Sequence, residues 1–235
     1  MSDRLPAAKG LPNSYEGWSA FMRTRLKPGQ APRQPALERA FDVVLALGAL
    51  VFFAPVMLIV AVAIWLQDGG PAFFVQTRMG RGAEPFSCLK FRTMVVDAEE
   101  RLAALLASDP VARTEWARDQ KLRRDPRITA LGAFLRKSSL DELPQLFNIL
   151  RGEMSVVGPR PIVKAEVPRY GRWYRDYCSV RPGLTGLWQV SGRNDVDYRR
   201  RVALDVAYAR RRSLGLYLRI VLATIPAVLL RSGSY

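Results

Sequence analysis

From Val43 to Leu66 the chain reads VVLALGALVFFAPVMLIVAVAIWL, with no charged position anywhere in the run. As a helix rising roughly 1.5 Å per residue it would be about 36 Å long, against a bilayer core of about 30 Å. The run is too long and begins too late for the apolar region of a signal peptide, and no A-x-A-like site follows it. Pro55 sits near its centre, where it removes a backbone donor and crowds the carbonyl four residues back. Basic residues flank both ends: Arg23, Arg25, Lys27, Arg33 and Arg39 before it, Arg78, Arg81, Lys90 and Arg92 after it. Positive loops favour the cytoplasmic side. Three arrangements are open: a kinked helix that spans, a re-entrant helix that dips in, turns at Pro55 and returns, and a fully buried core helix, which so long an uncharged run disfavours. The second also keeps both basic flanks on one side.

Beyond this run the pattern changes. Residues 71–94, PAFFVQTRMGRGAEPFSCLKFRTM, alternate in a way that predicts a β-hairpin, with its turn at Gly80, Gly82 and Pro85. Period-two alternation places Lys90 and Arg92 on one face, either a solvated basic face or a phosphate-binding pair. Residues 95–123 predict helical scaffold broken at Asp109-Pro110. DPRITALGAFLRKSSL predicts a short helix that delivers Arg136 to the next element. The C-terminal stretch, YARRRSLGLYLRIVLATIPAVLLRSGSY, is basic and then apolar in runs too short to span. It reads as an amphipathic helix in the membrane interface, or as one packed on the soluble core. The fold class expected is α+β: a small, mostly helical cytosolic domain with a short β-hairpin, anchored by a Pro-kinked membrane helix and interfacial amphipathic helices. The organisation that follows is a basic, Pro- and Gly-rich arm over residues 1–36, the membrane helix over 37–67, and a domain with the C-terminal interfacial helix over 68–235.

Composition narrows the chemistry. The formal net charge of +15 implies an anionic partner: nucleic acid, an anionic membrane surface, or a phosphorylated substrate. There is no histidine among the 235 residues, which excludes Ser-His-Asp triads, Cys-His dyads and His-ligated zinc. Cys88 and Cys178 lack metal-ligand spacing and read as reduced thiols. Catalysis is left to carboxylates, hydroxyls, Lys, Arg and a hard metal ion.

In LRKSSLDELPQ, residues 135–145, Asp141 and Glu142 stand side by side among basic residues. A helix start accounts for them in one way. Ser139 and Glu142 fit a capping box, or Asp141 is itself the cap with Pro144 inside the first turn, and the helix dipole favours acids there. A nucleophile beside a metal ligand accounts for them in another. Two Gly/Pro-rich loops support the latter: RGEMSVVGPRP (151–161) carries Arg160, and RPGLTGLWQVSGRN (181–194) carries Arg181 and Arg193. A carboxylate can attack phosphorus, a neighbouring acid can hold Mg²⁺, and arginines can neutralise the transferring group.

KFRTM, LRKSSLDELPQLFNILRGEMSVVGPRP and RPGLTGLWQVSGRN together resemble the bacterial sugar transferase family, the monotopic polyprenol-phosphate phosphoglycosyl transferases. The resemblance runs from about Arg39 to the C-terminus. Within the family it looks most like the short exopolysaccharide-initiating type, which is expected to lack the multi-span N-terminal half of larger members. It implies transfer of a hexose-1-phosphate, galactose or glucose, from a UDP-sugar to undecaprenyl phosphate. It implies a phosphosugar intermediate on Asp141, release of UMP, and Mg²⁺ linked to Glu142. It places Arg136 and Pro159-Arg160-Pro161 at motif positions near phosphates and nucleotide, with Lys90, Arg92, Arg181 and Arg193 as further substrate-binding candidates. It favours re-entry at Pro55, and hence an inner-membrane location with the catalytic domain facing the cytoplasm. The partners implied are the UDP-sugar, undecaprenyl phosphate and membrane lipids, without nucleic acid; oligomeric state stays open, a homodimer included. Two positions depart from the family pattern: Ala54 stands where many members have Ser, and Leu216-Tyr217-Leu218 where many read Leu-Asp-Leu. The contrasting classes are a membrane-tethered basic binding protein and a non-catalytic scaffold for polysaccharide assembly.

Overall fold

A computed structural model describes residues 34–119, 122, 124–191 and 197–229. The apolar run lies within one 33-residue helix, α1 (Ala36–Asp68), with Pro55 inside it. Among the described residues this is the one helix long and apolar enough to cross a membrane. Val44, Val51, Phe52, Leu58, Ile59 and Leu66 all lie exposed along it. A helix at the core of a soluble protein hides such side chains, so this exposure matches a helix whose solvent is lipid.

β1 (Phe73–Met79) and β2 (Pro85–Phe91) then pair as the hairpin that the alternation predicts. Its turn is a 3₁₀ segment, Arg81–Ala83, closed by Gly80 N–H donating to Glu84 O at 2.8 Å. α2 (Ala98–Ser108) and α3 (Pro110–Asp119) follow, broken where the Asp109-Pro110 pair predicts. Asp109 Oδ1 accepts from the N–H groups of Val111 and Ala112, so the break also starts the next helix. Next come α4 (Ala130–Ser138), α5 (Gln145–Arg151), β3 (Ser155–Val157), α6 (Val167–Tyr170), α7 (Tyr174–Cys178), β4 (Gly183–Thr185), α8 (Leu187–Val190), α9 (Tyr198–Arg211) and α10 (Leu214–Leu229).

The chain forms two compact units that alternate along the sequence. Among the described residues, the first takes those up to Val51, Val75–Leu89 and those from Gln145 to 229; the second takes Phe52–Phe74 and Lys90–Pro144.

In the first unit, the two Gly/Pro-rich loops turn out to be parallel neighbours: β3 and β4 pair in register Ser155 to Gly183 and Val157 to Thr185. Their backbones touch beyond the strands. A Cβ on Gly183 would stand 2.0 Å from Gly158 N, and one on Gly158 would stand 2.3 Å from Arg181 O. Only glycine permits that approach. A tyrosine-rich core closes this unit: Tyr170, Tyr174 and Tyr177 with Met79, Ile162, Val167, Cys178, Val202 and Val206. Tyr177 donates its hydroxyl to Met79 O at 2.6 Å.

α10 buries Tyr217 and Ile220 against Val157 and Tyr208, while Leu222 and Ile225 lie exposed. One face packs on the soluble core and the other stays apolar and open. Tyr217, which occupies the middle of the variant Leu216-Tyr217-Leu218, donates its hydroxyl to Asp42 Oδ1 at 2.9 Å.

That carboxylate pins the start of α1. Asp42 is wholly buried and accepts from Ser155 Oγ (2.9 Å), Val156 N (2.8 Å), Tyr217 OH and Gln34 Nε2 (2.6 Å). Beside it, Arg39 donates to the carbonyls of Ile149 and Leu150, and Arg212 pairs with buried Glu38 at 2.6 Å.

In the second unit, α4 lies against the segment after β2. Thr129 caps α4 by accepting from Gly132 N at 2.9 Å. A Cβ on Gly132 would meet Thr93 O at 1.9 Å. Gly132→Ala is therefore expected to destabilise the protein by about 2 kcal/mol or more through overpacking, despite the better helix propensity of alanine. Thermal denaturation in detergent measures it, and an unchanged midpoint would mean the contact relaxes freely.

Candidate active site

The helix beginning at Ala130 carries the first functional side chain to its place. It ends at Ser139, which adopts the left-handed conformation (φ 59°, ψ 14°), and Ser139 N–H returns to Arg136 O. The chain then tightens into a 3₁₀ turn, Leu140–Glu142, before Pro144 and α5. The two acids therefore do not occupy the first turn of the following helix, and Ser139 makes no side-chain cap; the capping-box geometry is corrected. The reason is local. A helix that already contained Leu140 would have Pro144 crowding its carbonyl, so the chain closes α4 with a left-handed residue and restarts after the proline.

This turn buries Asp141, 8% exposed, and leaves Glu142 half-exposed. Lys90, near the end of β2, reaches both: Nζ lies 2.7 Å from Glu142 Oε1 and 3.6 Å from Asp141 Oδ2. Arg136 Nε donates to Thr93 Oγ1 at 2.9 Å, which fixes its guanidinium in the field of Asp141. Burial pushes the Asp141 carboxyl above the usual carboxylate range and the Glu142 charge adds to this; Lys90 and Arg136 oppose it. The result is a buried carboxylate, poised among two cations and one further acid, on a turn held by a helix C-terminus and a strand end.

The side chains of Lys90 and Arg92 diverge: Lys90 reaches the two acids and Arg92 does not. β2 ends at Phe91, and Arg92 turns to the end of α1. There its guanidinium meets the Asp68 carboxylate at 2.5 and 2.6 Å and donates to Pro71 O at 2.7 Å. These bonds tie the segment after β2 to the end of α1 within the second unit.

In the first unit, Pro159 O accepts from Gly183 N at 2.8 Å and Pro161 O accepts from Arg78 Nη1 at 2.9 Å, so the Pro-Arg-Pro turn is anchored on both sides of Arg160. The Arg160 guanidinium lies 6.0 Å from the Trp188 ring centroid. Arg181 donates to Gly152 O at 2.6 Å and to Gln34; burial and the neighbouring Arg81 and Arg39 pull it down to about 10. Arg193 lies outside the described residues.

Two carboxylates escape the motif reading. Asp42 sits one residue before the apolar run. Asp205, on α9, accepts from Tyr170 OH at 2.7 Å, and burial pushes it up to about 7. The only sequence signal for either is an acid at an otherwise apolar helical position.

Mg²⁺ takes oxygen ligands and is commonly held by one or two carboxylates together with substrate phosphates. Among the described residues no cluster of three or more His, Cys, Asp or Glu could hold a metal alone. The Asp141–Glu142 pair fits that donor set, with the remaining ligands left to water and substrate.

Residues 33–231 match the bacterial sugar transferase family, and the chain belongs to it. Three relatives show the range. The undecaprenyl-phosphate galactose phosphotransferase of Salmonella typhimurium is 46% identical over 98% of this chain and 50% of its own length. The exopolysaccharide production protein ExoY of Rhizobium meliloti is 51% identical over 84% of this chain and 88% of its own. The UDP-glucose:undecaprenyl-phosphate glucose-1-phosphate transferase of Caulobacter vibrioides is 40% identical over 100% of this chain and 86% of its own. The chain thus spans about half the length of some curated relatives it matches and most of the length of others.

Proposed function

We propose that the chain is a membrane-bound phosphoglycosyl transferase that begins exopolysaccharide repeat units. It moves a hexose-1-phosphate from a UDP-sugar to undecaprenyl phosphate. The observation that carries this reading is Asp141: a buried carboxylate between Lys90 and Arg136, in a family whose relatives are named for that transfer.

In the first step an Asp141 carboxylate oxygen attacks the sugar-bearing phosphorus. The P–O bond to the nucleotide breaks and UMP leaves with the bridging oxygen. In the second step a phosphate oxygen of the lipid attacks the same phosphorus, the acyl phosphate bond breaks, and Asp141 is regenerated. No proton transfer by histidine is needed, because carboxylate and phosphates are already anionic nucleophiles and leaving groups.

Lys90 holds Glu142 and opposes the upward push of burial on the Asp141 carboxyl, and Arg136 supplies a fixed positive charge to the transferring phosphoryl group. Glu142 is the residue that would hold Mg²⁺, which when bound would neutralise charge on the diphosphate. Pro159, Arg160, Pro161, Arg181 and Arg193 are the remaining substrate-binding candidates. Re-entry of α1 at Pro55 and a cytoplasm-facing catalytic domain belong to the same proposal, supported by exposed apolar side chains along α1 and basic residues on both flanks. The donor hexose is galactose or glucose, the two sugars in the relatives' names.

Intact-protein mass spectrometry tests it. Protein in nanodiscs with Mg²⁺ and either UDP-galactose or UDP-glucose, without lipid acceptor, is expected to gain one hexose phosphate. Undecaprenyl phosphate is expected to discharge it. No adduct across a panel of UDP-sugars, and no UMP released when acceptor is added, would return the chain to the scaffold class.

A further inference from the structure

Within the first unit, several polar atoms are buried without an answer, and they gather in one place. Trp188 Nε1, Gln189 Oε1, Tyr198 OH, and Nε and Nη2 of Arg201 are each sealed from solvent and make no hydrogen bond. The Arg201 guanidinium joins them: its Cζ lies 4.8 Å from the Trp188 ring centroid and 5.3 Å from that of Tyr198. Arg160 approaches the same indole at 6.0 Å, and Arg169 stands 5.0 Å from the Tyr198 ring. Trp188 is 7% exposed and the Arg201 side chain 11%.

Buried donors are almost always paired, because leaving one unpaired costs roughly 1–3 kcal/mol, and more on a charged group. Five unanswered atoms on four neighbouring residues therefore mark a place whose partner arrives from outside. The electrostatics define that partner. Arg201 has one acid within reach, Glu166, at a long 3.8 Å, and Glu166 also faces Arg78 at 3.8 Å. Asp205 faces the group from α9 but is engaged by Tyr170. Arg160, Arg169, Arg201 and Arg78 thus outnumber Glu166 and Asp205. Four of the five unanswered atoms can donate, and the cations lie beside them. An oxyanion with several acceptor oxygens matches this set, and a planar guanidinium prefers phosphate in particular. Gln189 Oε1, the lone obligate acceptor, suits a hydroxyl of the same ligand.

We propose that Arg201, Trp188 and Tyr198, with Arg160, form a phosphate-binding pocket in this unit, and that Arg201 is its principal ligand. The pocket depends on the transferase reading only for which molecule brings the phosphate: the diphosphate of a nucleotide sugar, the head of a polyprenyl phosphate, or free phosphate. Because these donors are sealed from solvent, entry of the ligand requires the side chains around them to move aside.

Calorimetric titration of the full chain in phosphatidylcholine nanodiscs separates these sources. The probes are UDP, undecaprenyl phosphate in detergent micelles, and inorganic phosphate. For the ligand that binds, Arg201→Gln is expected to raise Kd about ten-fold or more, as loss of charge-assisted hydrogen bonds does. Trp188→Phe keeps the ring, loses one N–H, and is expected to raise Kd several-fold. Arg172→Gln, outside the pocket, is expected to leave Kd unchanged. Should Arg201→Gln give no cooperative melt, Arg201→Lys and Trp188→Phe carry the comparison. UDP binding of wild-type strength in every pocket variant would leave the transferase reading standing and overturn the pocket. Arg201-dependent binding of lipid phosphate or inorganic phosphate, with no UDP binding, would keep the pocket and count against the UDP-sugar donor. Binding of none of the three by the wild-type chain would also overturn it.

Discussion

Asp141→Asn is expected to abolish lipid-linked sugar formation, by at least about a thousand-fold, while the protein still melts cooperatively near the wild-type temperature. The amide matches the carboxylate in size, so the 3₁₀ turn over Leu140–Glu142 stays; what disappears is the anionic nucleophile. Radiolabelled transfer from UDP-sugar to undecaprenyl phosphate measures the loss, and an Asn variant with a tenth of normal turnover would sink the covalent route. The pH dependence follows from burial. The carboxyl titrates above the ordinary aspartate range, and on the proposed route only its ionised form attacks. Adduct formation should therefore rise with pH through that raised value and level off above it. Lys90 is the strongest influence lowering the value, so Lys90→Gln should move the acid limb to higher pH as well as slow the reaction. An acid limb that stays in place in Lys90→Gln would show that another group sets it.

Asp42→Ala is expected to be the most damaging substitution for stability, about 3–5 kcal/mol, or a fall in Tm of roughly 10 °C. It would strand Ser155 Oγ, Val156 N–H and Tyr217 OH, which all converge on Oδ1, together with Gln34 Nε2 on Oδ2. Asp42→Asn keeps an oxygen for the three that converge, and should cost about 1 kcal/mol. The contrast identifies hydrogen-bond geometry, not charge, as what ties the start of α1 to β3 and α10. Calorimetry in detergent reads both variants; equal losses would assign the effect to charge. The same geometry explains why tyrosine serves at 217 here: its hydroxyl reaches the carboxylate that its ring helps to bury.

Much of this protein is written locally. The uncharged run makes a long apolar helix whatever surrounds it, because about twenty such residues satisfy their own backbone and no polar solvent competes. Alternation and the Gly80–Pro85 turn make the hairpin, and Asp109-Pro110 both ends one helix and caps the next. The dyad, the missing histidines and the Gly/Pro-rich loops point toward the proposed phosphoryl chemistry through residue type alone. Partners at long separation are another matter. That Arg92 turns to Asp68, that Lys90 reaches across to the dyad, that Asp42 serves residues 113 to 175 positions away, and that Arg201 meets Trp188 with only a long contact to Glu166 are facts of packing. Periodicity specifies which face of an element is apolar. Which charges meet on the polar side depends on how elements pack, and the cost of burying a charge unpaired is what then selects each partner.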